Sequence, residues 1–390
     1  MSIATDKKER FHFLDGLRGI AAAMIVIHHA FTSHIVDFFN HFKLRFLGIA
    51  WMYFTQSGVE LFFVLSGVVL LRPYLRKQKK FRTLDYFYRR IKRIYPPYFF
   101  ALIFGAFVVW FNNKYATWYN LKGLRVKFSW PETFRELFII NFDGTYYNLA
   151  WWSLQIEILF YVVAPFILFV FPQRDRVNTR RLVVSICATL IITFLLQMLF
   201  TDYVFRLYSY TYQLAAFGKF IEYPLCFLLG VYLAARDFSI RQGIYFFCSG
   251  IILILSGLFL IKDAGHNPQS WIYLSVLNGG YGLFYAGVIV LAFNKESFKR
   301  YLGKPIMIWL GERSYSLFLI HFSVFYLIDN IVSHFLTDRN AFYGILTRGI
   351  GVPFALFAAM LLFYFVERKQ ARGLLTGDMF WPWQVRRLKS

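Results

Sequence analysis

Long apolar stretches, each near the length of a bilayer crossing, repeat along the chain and are separated by short polar and basic runs. A spanning helix needs about 20 mostly apolar residues. Ten stretches meet that need: 14–36, 50–71, 94–112, 153–171, 182–200, 214–235, 244–261, 271–293, 314–333 and 345–366. The pattern predicts an all-α integral membrane protein, a bundle of about ten transmembrane helices. No long repeat, low-complexity tract or polar linker divides it, so residues 1–390 are expected to form a single transmembrane domain. The largest segment between stretches, 113–152, is rich in aromatic, Asn and Gly residues and reads as an outer vestibule. Residues 1–18 are polar and charged with no cleavage site after the first stretch, which is therefore expected to stay as a signal anchor.

Composition agrees with lipid as the solvent: 58% of residues are hydrophobic and only 16% charged, against roughly a quarter charged in soluble domains. The net charge of +22 raises nucleic-acid binding as an idea. A nucleic-acid binder gathers its basic residues on one face or domain, whereas here they lie in runs between apolar stretches. They instead set orientation. An N-terminus in the cytoplasm places segments 1–13, 72–93, 172–181, 236–243, 294–313 and 367–390 inside, with 30 of the 43 Lys and Arg. An even helix count returns the C-terminus to the same side. Both termini are thus expected to be cytoplasmic, in a multi-pass protein of the cell inner (cytoplasmic) membrane. Cys187, Cys226 and Cys248 sit in apolar stretches without motif spacing, implying neither a disulfide framework nor a metal site.

Ionisable residues inside a membrane are costly and are functional candidates by default. In the first stretch Arg18 and His29 are eleven residues apart, which places them within ~20° on one helix face and ~16 Å apart along the axis. Asp15 falls near that face; His28 is turned away by ~80°. An arginine near the inner surface can bind CoA phosphates or polarise an acyl carbonyl. A neutral histidine deeper in can take a proton from a hydroxyl nucleophile. The purely structural alternative has Arg18 reaching the inner headgroups and His29 bonding a backbone carbonyl. Glu60, the only charge between Phe46 and Leu71, either orients His29 or makes a helix–helix hydrogen bond. Ser153, Glu157 and Tyr161 recur every fourth residue as a polar stripe, with Glu157 expected near the outer end of its helix. Arg90 and Arg93, at i and i+3, present one cationic surface beyond their role as topological anchors. His321 reads first as a satisfied buried histidine. No P-loop, HExxH, GxSxG or metal-spaced Cys/His cluster occurs, and no Ser or Cys has the context of an activated nucleophile.

Several of these pieces run in one order along the chain: Phe13-Leu14-Asp15-Gly16-Leu17-Arg18-Gly19-Ile20 with His29, and Gly58-Val59-Glu60-Leu61-Phe62-Phe63-Val64-Leu65-Ser66-Gly67. They continue with Arg90-Ile91-Lys92-Arg93-Ile94-Tyr95-Pro96, Trp152-Ser153-Leu154-Gln155-Ile156-Glu157, Phe227-Leu228-Leu229-Gly230, and Ser314-Tyr315-Ser316-Leu317 with His321. The set resembles the integral-membrane acyltransferase family 3, whose members O-acylate polysaccharides and other glycans. The resemblance implies ten transmembrane helices, cytoplasmic termini and a cytoplasmic acyl-CoA donor, acetyl-CoA by default. It also matches Arg18 and His29 to the family's essential Arg and His, and Arg90 and Arg93 to its Arg-x-x-Arg motif. One departure is Ile158, where many members carry a second Glu after the position of Glu157. Some relatives carry a further soluble esterase-like domain. Without one, this chain is expected to act on its acceptor directly or with a separate extracytoplasmic partner.

The resulting expectation is a metal-free membrane O-acyltransferase moving an acyl group from acyl-CoA to a hydroxyl of an extracytoplasmic glycan or sugar. His29, Arg18, Glu60 and Glu157 are its catalytic candidates. Arg90, Arg93 and Arg18 would hold the donor, and Trp152, Ser153, Tyr161 and His321 the acceptor. Trp151, Tyr146 and Tyr208 are further aromatic candidates for stacking on sugar faces. The rival class is a transporter of an acyl metabolite or lipid-linked sugar, which intramembrane Arg, Glu and His would also suit. Matching halves with broken helices, the usual mark of that class, are not seen in the sequence.

Overall fold

A computed structural model describes residues 11–76, 81–115, 128–139, 147–170, 223–264, 270–336 and 341–368. Every regular element among them is helical: α1 (His12–His41), α2 (Arg45–Gln56), α3 (Gly58–Leu75), α4 (Thr83–Tyr115), α5 (Trp130–Glu136), α6 (Trp152–Val170), α7 (Pro224–Ala235), α8 (Ile240–Ala264), α9 (Ser270–Asn294), α10 (Glu296–Leu302), α11 (Pro305–Phe335) and α12 (Ala341–Leu362). A 3₁₀ turn at Leu149–Trp151 precedes α6, and a π-turn at Phe363–Glu367 follows α12. Eight spans among the described residues are long and apolar enough to cross a membrane, with α2 and α3 together making one of them. The protein is a multi-pass membrane protein. The expected stretch 182–200 lies outside the described residues, as do Cys187, Tyr146 and Tyr208. Of the expected stretch 214–235 the described part is α7, whose 12 residues rise only about 18 Å.

The helices run further than their apolar cores. α1 has 30 residues and α11 has 31, about 45 Å each against a hydrocarbon layer of about 30 Å. Hydropathy marks only the lipid-matched part, while the backbone ladder continues into charged residues. For the same reason Arg89–Arg93 lie on α4 rather than in a loop before it.

Packing follows small residues. Gly67 on α3 and Gly230 on α7 face each other so closely that a Cβ on Gly230 would enter the Val64 carbonyl, and one on Gly67 the Phe227 carbonyl. Close approach of this kind is how helices gain contact in lipid, where apolar burial gives no advantage. The lipid side is apolar at helical spacing: Ile252, Leu255 and Phe259 on α8 are exposed, as are Phe354, Phe357 and Leu361 on α12. One kink interrupts a span. At Ser57, between α2 and α3, the hydroxyl donates to Phe54 O at 2.7 Å and takes a bond from the Tyr285 hydroxyl at 2.6 Å. That pins the break to α9.

Candidate active site

Four helices bring several charged residues of the spans to one place. Arg18 of α1, Ser66 of α3, Arg90 and Arg93 of α4, and Glu157 and Tyr161 of α6 line a narrow cleft of about 20 Å³. Tyr161 donates its hydroxyl to the Glu157 carboxylate one turn away. Arg90 lies over the rings of Tyr86 and Tyr161, at 5.5 and 5.4 Å from their centroids. Its Nε is buried without a hydrogen-bond partner among the described residues.

Glu157, expected near the outer end of its helix, lies in the second turn of α6 and joins the arginines of the cleft. The segment before α6 enters the bundle. Asn148 Nδ2 and Trp151 Nε1 both donate to the Leu319 carbonyl of α11, at 3.0 and 3.1 Å. Leu319 is two residues from His321, so α6 starts close to the depth of that histidine and its next turn reaches Arg18. Trp151 is buried by this docking and offers no face for a sugar. Trp152 stays half-buried against Tyr223, ring centroids 5.3 Å apart. Ser153 is buried and donates to Ala150 O at 3.4 Å.

Farther along α1, the two adjacent histidines face different helices. His28 Nδ1 meets Thr55 Oγ1 of α2 at 3.0 Å. His29 Nδ1 meets His321 Nε2 of α11 at 3.0 Å, with the rings stacked at 5.1 Å and the Phe322 edge at 5.0 Å. His321 is fully buried, and its Nδ1 donates to the Leu317 carbonyl at 2.9 Å. Both of its nitrogens are thus hydrogen-bonded, to His29 and to Leu317. The expected contact of Glu60 with His29 does not form. Glu60 points instead to the side of α3 that faces α7 and α9, in the electrostatic neighbourhood of Cys226, Tyr281 and Tyr285. Gly58 and Glu60 are separated by 200° on the helix, and it is Gly58 that abuts α1.

The sequence profile of one family, described as "Acyltransferase domain", matches residues 11–368, nearly the whole chain and every residue of the cleft and the histidine pair. The chain belongs to acyltransferase family 3. Among curated proteins, this family member is 26% identical over 342 residues to the O-acetyltransferase OatA of Staphylococcus aureus strains NCTC 8325 and COL, covering 81% of this chain and 51% of that protein. It is 38% identical over 100 residues to Protein 2 in picA locus of Rhizobium radiobacter, covering 25% of this chain and 45% of that one. The chain spans about half the length of these curated relatives. No solved structure matches it.

One residue of the charged cluster escaped the sequence reading. Glu367 is buried and accepts a bond from Ser316 at 2.7 Å. It lies within electrostatic range of Arg93, Arg18 and Arg313. The π-turn at Phe363–Glu367 carries it there, and such turns commonly mark functional sites. Glu367 thus gives the cluster a carboxylate besides Glu157. Tyr315, whose hydroxyl donates to Ile94 O at 3.0 Å, ties α11 to α4 beside the cluster. A second, larger cavity of about 840 Å³ opens at the same end of the bundle, beside the start of α1. There, outside the spans, the Arg76 guanidinium bonds Asp237 and holds its carboxyl below the usual carboxylate range. Among the described residues no group of three His, Cys, Asp or Glu is placed to hold a metal ion.

Proposed function

We propose that this chain is an O-acyltransferase that moves an acyl group, acetyl by default, from cytoplasmic acyl-CoA to a hydroxyl of an extracytoplasmic glycan. Membership of the acyltransferase family and the printed name of the OatA relative support the reaction class. The donor, the acceptor, the inner-membrane location and the residue roles below are this reading's own. A separate extracytoplasmic partner would be needed only if the chain does not meet its acceptor directly.

The observation that carries the reading is the chain of contacts from His29 to Leu317. The Leu317 carbonyl can only accept, so His321 Nδ1 bears a proton and its Nε2 is a lone-pair acceptor when the ring is neutral. His29 Nδ1 must then donate to it. That leaves Nε2 as the basic nitrogen of the half-buried His29 ring. Setting the tautomer through the far nitrogen is how a base is aimed. Nε2 takes the acceptor's hydroxyl proton as that oxygen attacks the thioester carbonyl carbon. The C–S bond breaks, and the imidazolium returns the proton to the leaving thiolate, giving an ester and free CoA. Arg18, Arg90 and Arg93, ~16 Å along α1 from His29, supply positive field to the donor's phosphates, and Glu157 with Tyr161 orders them. Trp152 and Ser153 border the acceptor's approach.

Protein in lipid nanodiscs should release CoA thiol from acetyl-CoA when a glycan is added, with ester formed on the glycan. Label accumulating inside sealed vesicles with no ester made would favour the transporter instead. His321→Gln places an amide oxygen where Nε2 was and should keep much of the rate. His321→Leu cannot accept from His29 and should lower kcat by one to two orders of magnitude at nearly constant KM, roughly the value of one positioned hydrogen bond. Equal rates for the two variants would remove His321 from the mechanism.

A further inference from the structure

The cavity beside the start of α1 has a charge pattern that the transfer site does not use. Arg72 at the end of α3, Arg236 after α7, and Lys299 and Arg300 on α10 line it, with Asp237 and Glu296 as the only acids among the described residues of its lining. Both acids are engaged: Asp237 takes two bonds from Arg76, at 2.8 and 2.9 Å, and Glu296 pairs with Lys299 at 3.5 Å. Arg236 and Arg300 remain as surplus positive charge. Aromatic rings brace two of the guanidinium groups. Arg72 lies 4.5 Å from the Phe293 centroid and 5.2 Å from that of Phe11; Arg236 lies 5.0 Å from that of Phe238.

We propose that this vestibule binds the phosphorylated nucleotide end of the acyl donor, an inference that rests on the transferase reading above. Size separates it from the arginine cleft. About 20 Å³ is room for roughly one water, whereas about 840 Å³ lies within the ~300–1,000 Å³ typical of small-molecule sites. Guanidinium forks match phosphate oxygens, and the same rings and cations offer a planar base a stacking surface. Position fits as well. Val69 lines the cleft and Arg72, three residues on and on the same side of the helix, lines the vestibule, so the two adjoin along α3. From Phe13 at the vestibule to His29 is sixteen residues of α1, roughly 24 Å, a distance of the order of an extended CoA arm. The nucleotide and its phosphates stay in the vestibule, the arm passes the arginine cleft, which must widen to admit it, and the thioester reaches His29.

The test uses full-length protein in phosphatidylcholine nanodiscs, with CoA, dephospho-CoA and pantetheine as probes. The double variant Arg236→Ala/Arg300→Ala should bind CoA at least tenfold more weakly, since charge-assisted bonds to phosphate are lost, while pantetheine binding is unchanged. If the double variant does not fold, Arg300→Ala alone, at an exposed position, should still weaken CoA several-fold. CoA affinity equal to wild type in these variants overturns the proposal. So does unchanged CoA affinity together with lost binding of added phosphatidylglycerol, which would assign the vestibule to a lipid headgroup. A wild-type protein that neither binds CoA nor releases it from acetyl-CoA would sink the transferase reading itself, a result separable from failure of the vestibule alone.

Discussion

Adjacent residues on α1 meet different fates because one step along a helix is a turn of 100°. His28 turns to Thr55 on α2, and His29 to His321 on α11. His29→Ala should therefore lower transfer by 10²–10⁴-fold, the usual loss for a general base. His28→Ala should cost stability by about 1 kcal/mol, the net value of one hydrogen bond, and keep most activity. Steady-state rates, with retained CoA binding as the folding check, decide between them. A dead His28→Ala beside an active His29→Ala would reverse the assignment. That Arg18 and His29 share a face was legible from their spacing alone. What His29 bonds was not, because His321 lies 292 residues away and no local pattern encodes a long-range pairing. Glu60 was the nearer guess, since it is the lone charge of its stretch, but its helix phase directs it toward α7 and α9. Glu367 was invisible for a related reason. A regular 3.6-residue phase gives no warning of a π-turn that swings a side chain toward Arg93.

At the scale of elements, hydropathy found the described spans because lipid demands continuous apolar helix. It could not find their ends, their breaks or their depth. Charged residues prolong α4 back to Thr83. Ser57 divides one span in two. The docking of Asn148 and Trp151 on Leu319 sets where α6 begins, and so decides that Glu157 meets the arginines. Helix contacts turn on small residues: Gly67 on α3 and Gly230 on α7 are counterparts at one crossing. The α3–α7 contact has backbone on both sides and so cannot yield as a flexible side chain would. Gly230→Ala should cost about 1–3 kcal/mol from overpacking, seen as a lower melting temperature and reduced yield. Gly349→Ala, with nothing near its Cβ, is the control expected to change little. Equal melting of the two variants would contradict the packing at this crossing.

The whole molecule has a polarity that its parts explain together. Basic residues crowd the end of the bundle where α1 starts, as the vestibule and cleft both do, and the histidine pair lies deeper along the same helix. Charge bias along the sequence predicts that this end faces the cytoplasm. The account then requires the donor and the acceptor to be used from opposite sides. Proteoliposomes with the protein inserted in one known orientation test this most directly, with acetyl-CoA confined to one compartment and glycan to the other. Ester should form when acetyl-CoA is on the side of the α1 start and glycan on the opposite side, and should be lost in His29→Ala. Ester formed with the compartments exchanged, or undiminished in His29→Ala, would contradict the account.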